Sequence, residues 1–141
     1  MAEQAKAYLA QTAKKAFENQ MELEGIKYRS DDERLLVRVT YSGSYFEAVP
    51  FSFLFDGDGG AVALSVYSIA SFTSDQIADA MAFCNKVNGK YRWLRFFVDA
   101  DGELTAAADA YLTPYTAGAA CTDLLRRAVS AVDAVCKELC D

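Results

Sequence analysis

The 141-residue chain contains no histidine. This removes the commonest general base and the commonest metal ligand, and with them the usual serine–histidine and cysteine–histidine nucleophile pairs. Proline occurs only twice against a hydrophobic content of 52%, which excludes a disordered linker and points to a packed domain. No apolar run reaches about 18 residues, so no membrane-spanning helix is expected. Basic residues are outnumbered by acidic ones, 14 to 20, and stand side by side only at Lys14-Lys15 and Arg126-Arg127. Phosphate neutralisation needs a basic patch, so nucleic acid is not an expected partner. The N-terminal MAEQAKAYLAQTAKKAFENQ lacks the continuous apolar core of a signal peptide, which predicts a cytoplasmic protein. Length predicts one domain over residues 1–141, large enough to fold without staples.

What is present reads as alternating helices and hairpins. Residues 3–23 form an amphipathic helix with Leu9, Ala13, Ala16, Phe17 and Gln20 on its apolar stripe and Lys6, Lys14, Lys15 and Glu18 largely off it. Gly25 suits the position just past its end. Ile26 to Arg29 reads as a short strand. Leu35, Val37, Val39 and Tyr41 alternate as a strand, as do Val49, Phe51, Phe53 and Phe55, then Val62, Leu64 and Val66 beyond the DGDGG turn. Pro50 lacks an N–H and predicts an edge or a bulge at the start of its strand. Thr73 and Gln76 have capping-box spacing, and Phe72 and Ile77 the spacing of a hydrophobic staple. The helix they open carries Ile77, Met81, Cys84 and Asn88 at helical intervals and ends at Gly89. Strands from about Tyr91 to Val98 and Glu103 to Leu112 are joined through Asp101-Gly102. A last helix from about Thr116 to Leu139 places Cys121, Leu125, Ala128, Val132, Val135 and Leu139 on one stripe. The order α-βββ(β)-α-ββ-α predicts an α+β domain: an antiparallel sheet of five to six strands with helices on one face.

Candidate sites are few. DGDGG at 56–60 and DADGE at 99–103 lack the spaced ligands and terminal glutamate of an EF-hand loop and read as hairpin turns. Cys84 and Cys121 sit on apolar stripes, and Cys136 and Cys140 make only a weak metal signal without histidine or a CxxC. No cofactor and no metal are expected. Asp109 has no second carboxylate nearby in sequence, so it reads as a solvent-facing residue or a partner for an arginine or a backbone N–H. Asn85 and Asn88 read as anchors between the helix end and the adjoining loop or strand. The odd feature is the strand Tyr91–Val98. One side carries Leu94, Phe96 and Val98. The other carries Tyr91, Trp93, Arg95 and Phe97 where polar residues would be ordinary, and Tyr67 on a neighbouring strand would extend the patch. Aromatics with arginine mark interface cores, so this side is the candidate partner or dimer surface.

The segment CNKVNGKYRWLRFFVDADGELTAAADAYL resembles the YbjN family of bacterial domains. The matching positions are Asn85 and Asn88, Asp99, Asp101 and Gly102 in the turn, and Asp109 near the end of the last strand. FSFLFDGDGGAVALSVYSI is similar to the family's middle hairpin. The resemblance implies a fold like that of type III secretion chaperones, a curved antiparallel sheet packed against helices, often homodimeric. It implies a non-catalytic role in binding or regulating other proteins and supplies no catalytic residues. The expectation is therefore a non-catalytic, chaperone-like interaction module that binds a protein partner through the aromatic sheet face and the amphipathic first helix. A small-molecule sensor with a pocket between helices and sheet is the alternative.

Overall fold

Alternating apolar residues define the inner face of one antiparallel sheet. The computed structural model describes residues 2–141. Its strands are β1 (Arg29–Asp31), β2 (Leu36–Tyr41), β3 (Val49–Phe55), β4 (Ala61–Ser71), β5 (Arg95–Val98) and β6 (Glu103–Tyr111), in the order β1-β2-β3-β4-β6-β5. The register stacks Val37 beside Phe53, Phe53 beside Leu64, Leu64 beside Ala108, and Phe96 beside Ala106, so the same side of every paired strand points inward. The small alanines of β6 leave room for the helices that cover this side.

Three helices complete the α+β fold: α1 (Ala2–Leu23), α2 (Ile77–Asn88) and α3 (Ala117–Cys140). All three contribute to one core cluster with the inner face of the sheet. Phe17 of α1 packs edge-on against Phe53 at 4.8 Å. α3 buries the stripe read from sequence, Cys121, Leu125, Ala128, Val132 and Val135, with Leu139 half-buried. A β-carbon at Gly118 would lie 3.0 Å from the Ala16 carbonyl oxygen, so glycine permits the close approach of α3 to α1.

The faces of α1 and α2 differ from the sequence reading. α1 buries Ala10, Ala13, Lys14, Phe17, Glu18 and Met21, while Leu9 is exposed. Lys14 and Glu18 lie inside because they neutralise each other, so their charge is no guide to their side of the helix. α2 buries Ala80, Cys84 and Val87 and turns Met81 to solvent. Before α2, a 3₁₀ turn (Ser74–Gln76) carries the Thr73–Gln76 cap, with the Thr73 N–H donating to Gln76 Oε1 at 2.9 Å. Pro50 pairs with Thr40 of β2, and the β3–β4 ladder starts only at Phe51, so no β4 carbonyl is left waiting for the missing N–H. β4 itself is irregular between Val66 and Ala70, with Ser68 at a φ of 57°.

Candidate functional site

The outer side of the sheet carries the exposed aromatics. Arg95 and Phe97 of β5 pair with Ala107 and Thr105 of β6, and Tyr67 follows Val66, which pairs with Ala106. By this parity Phe97 and the buried Thr105 lie on the outer side, and Tyr67 stands just past Val66 where the β4 ladder becomes irregular. Tyr67 is 57% and Phe97 40% exposed. Between them and Leu54, exposed on β3, the face is lined by small residues, Ala63, Ser65 and Ala107, all partly open. The three helices lie on the other side. Asp109 sits on this outer face with its carboxylate 3.8 Å from the Arg95 guanidinium, both well exposed, which is the arginine partnership open to it in sequence.

The other two aromatics do not share that face. The strand begins at Arg95 rather than Tyr91, so the continuous aromatic side read over 91–98 is divided. Tyr91 is half-buried, its ring 6.1 Å from that of Phe96 in the core. Trp93, 50% exposed, turns toward α3, where Arg127 lies 4.4 Å and Arg92 5.0 Å from its ring centroid. The physical reason is at the helix end. Chain leaving α2 must first pass α3 before it can join β6, and Leu94 is buried in that passage.

This passage forms a groove of about 420 Å³ between the 90–94 segment and α3. Leu94, Leu124, Ala128 and Ala131 line it on the apolar side. Lys90, Arg92, Arg126 and Arg127 also line it. Basic residues that are scattered in sequence thus meet in space. Lys90 pairs with Glu138, Arg126 with Glu24, and Arg127 with Asp123. Sequence reasoning missed this grouping; the adjacent Arg126-Arg127 was its one visible sign.

Asn88 closes the edge of the sheet. Its Oδ1 accepts from the Phe96 N–H at 2.7 Å and its Nδ2 donates to the Phe96 carbonyl at 2.9 Å. The amide thus takes both outward backbone groups of the middle of edge strand β5, as a neighbouring strand would. Asn85 plays no such part: it is exposed on α2 and makes no side-chain hydrogen bond among the described residues. The 99–103 turn is organised by Asp99 rather than Asp101. Asp99 Oδ1 accepts from the N–H groups of Asp101 and Glu103, and Oδ2 from the Thr105 hydroxyl at 2.8 Å. The Glu103 N–H, the Thr105 hydroxyl and the Asp101 N–H hold its carboxyl below the ordinary range. Asp101 contributes its backbone, and Gly102 takes the left-handed position at φ 76°.

The buried thiols are held in their protonated form. Burial pushes the Cys121 thiol up to about 12, and burial with the nearby Asp133 and Cys140 pushes Cys136 up to about 11, so both stay protonated at neutral pH. Burial also raises Cys84. Cys140 is exposed and lies beside the 42–47 loop, away from Arg95 and Asp109. No group of three or more His, Cys, Asp or Glu side chains suited to a metal occurs among the described residues. No helix among them is long and apolar enough to cross a membrane.

A family model, YbjN, described as "Putative bacterial sensory transduction regulator", matches residues 14–141. No curated protein matches. Among solved structures the fold is similar to that of YbjN from E. coli, described as "a putative transcription regulator", with 10% identity, 86% of each chain covered and a TM-score of 0.59. It is also similar to a chain of the ExsC–ExsE complex, with 16% identity, 85% of this chain and 90% of that one covered and a TM-score of 0.51. At these identities the likeness is one of fold.

Proposed function

The chain belongs to the YbjN family, and from that premise we propose that it is a non-catalytic, chaperone-like regulatory domain that binds a protein partner on the outer face of its sheet. The single observation that carries this reading is that face itself: Tyr67 and Phe97 stand exposed beside a floor of small residues, with the helices on the opposite side. A flat floor rimmed by aromatics and Arg95 has the composition of an interface core. A chain of similar fold is known from the ExsC–ExsE complex, which supports partner binding as a use of this architecture. Adding a partner strand at β5 fits less well, because Asn88 already occupies the outward groups of Phe96. We place the protein in the cytoplasm as a homodimer, the state the family resemblance implies.

The test is affinity purification of the tagged wild type beside Tyr67→Glu/Phe97→Glu, followed by binding measurements with the purified partner. Loss of two interface anchors should weaken binding at least about thirtyfold. Equal binding by both proteins sinks the sheet face as the site. Light scattering after gel filtration checks the homodimer: a clean monomer across micromolar concentrations removes it.

A further inference from the structure

We propose that the groove between the 90–94 segment and α3 docks an acidic segment of a partner polypeptide, with one apolar side chain of that segment seated against Trp93. The inference rests on the reading of this domain as a protein binder, and adds to it a second surface with a defined charge. The chain as a whole carries a net charge of −6, yet four cations border this one groove. Three of them have a carboxylate partner. Arg92 has none within ion-pair distance among the described residues, and it shares the Trp93 indole with Arg127. Both guanidiniums sit over the Trp93 ring, and a carboxylate entering the groove finds in the unpaired Arg92 a donor of charge-assisted hydrogen bonds.

The floor decides what kind of anion fits. Leu94, Leu124 and Ala128 are buried apolar residues, and a volume of about 420 Å³ takes one or two side chains. An apolar anchor flanked by acidic residues satisfies both floor and rim. A nucleic acid does not: its continuous phosphates need an extended basic track, and Glu24, Asp123 and Glu138 interrupt this one.

Trp93 is the only tryptophan and therefore the reporter. The experiment titrates the full chain with fluorescein-labelled peptides of about twelve residues, Glu and Asp around a central Leu, Phe or Tyr, following anisotropy and Trp93 emission. At least one peptide should bind with micromolar affinity and shift the emission, and Arg92→Gln/Arg127→Gln should weaken it about tenfold or more. Arg92→Lys/Arg127→Lys keeps the charge and loses the stacking, so it should fall between. Thermal midpoints of both variants near that of the wild type establish that the fold is intact. The proposal is overturned by unchanged affinity in the glutamine variant, by equal binding of peptides with Lys in place of the acids, by tighter binding of an oligothymidylate, or by no acidic peptide binding below about 1 mM. Tyr67→Glu/Phe97→Glu should bind these peptides as the wild type does; if it loses them, the sheet face and not the groove is the site. Failure of the sheet face in partner binding leaves the peptide result standing.

Discussion

At one edge of the sheet β1 is fastened to α1 by a buried ammonium; at the other, β5 is fastened to α2 by a neutral amide. Lys14 is 1% exposed, with its Nζ 2.5 Å from both Glu18 and Asp32 and bonded to Ser30 of β1, which in turn donates to Glu18 at 2.7 Å. Asn88 makes its two bonds to a single residue, Phe96. Both devices fasten an edge strand to a helix, but only Asn88 takes up backbone groups of its strand; the bonds of Lys14 all end on side chains. The charged one links four side chains and depends on every charge being balanced. The neutral one is local and needs only geometry.

The largest effect is therefore expected at Lys14. Lys14→Met should cost about 3–5 kcal/mol in urea unfolding, because it strands the buried Glu18 carboxylate. Lys14→Met/Glu18→Leu should recover most of that loss, since the pair is removed together. Additive losses in the double variant would break the comparison, because the two groups would then not be acting as one charged unit. Asn88→Ala should cost less, about 1–3 kcal/mol, with hydrogen exchange at the Phe96 amide rising far more than at β1. Asn88→Asp keeps an acceptor for the Phe96 N–H but sets a carboxylate oxygen against the Phe96 carbonyl, and should be no better than alanine.

The two anchors were unequally legible in sequence. An asparagine near a helix end has a short list of uses, and Asn88 bonds both backbone groups of Phe96. Asn85, three residues earlier, reads the same way and does nothing comparable; it stands exposed on α2. Lys14 reads as a solvent-facing charge because its counter-charge Asp32 is 18 residues away and arrives only when β1 folds back on α1. Strand order within each hairpin was plain from Val49 to Phe55 and from Val62 to Val66, where every second residue is apolar. The start of β5 was not. Tyr91, Trp93, Arg95 and Phe97 alternate like a strand, and only the position of α3 draws Trp93 out of line and gathers Arg92, Arg126 and Arg127 around it. Periodicity records which residues share a face of one element. It carries no information about which elements meet.

Acid sharpens the contrast between the edges. The hydrogen bond from Lys14, reinforced by its charge, lowers the Asp32 carboxyl below its ordinary 3.8. A lowered carboxyl contributes fully above that ordinary value, and its contribution is lost as pH falls through the folded-state value. Burial pulls the Lys14 ammonium down, but its bonds to Asp32 and Glu18 outweigh this, and the net shift is upward from 10.5. Its contribution is thus present below 10.5 and lost only as pH rises past the raised value. Between pH 6 and pH 3, exchange protection of the β1–β2 ladder should fall while that of the Phe96 amide, held by an uncharged side chain, holds. Equal loss at the two edges would mean that charge does not distinguish them.

The smallest effect is expected at Asp99, an acid-sensitive element near the β5 edge. Asp99 closes the β5–β6 hairpin through the N–H groups of Glu103 and Asp101 and the Thr105 hydroxyl, and its carboxyl is lowered from 3.8 by these bonds. By the same sign its contribution is complete above 3.8 and lost below the lowered value. Asp99→Asn keeps an acceptor for the N–H groups but removes the charge, so its thermal midpoint should fall at pH 7 by a few degrees. The gap to the wild type should close as pH drops below 3.8 and through the lowered folded-state value, where the wild-type carboxyl takes up its own proton. In the Asp99→Asn background any remaining acid dependence at the Phe96 amide must come from elsewhere. A variant that still loses Phe96 protection in acid would point first to Glu138, whose carboxyl is lowered by its bond from Lys90 two residues past Asn88, and only if Glu138→Gln leaves that loss in place would it show that the two anchors are coupled across the sheet.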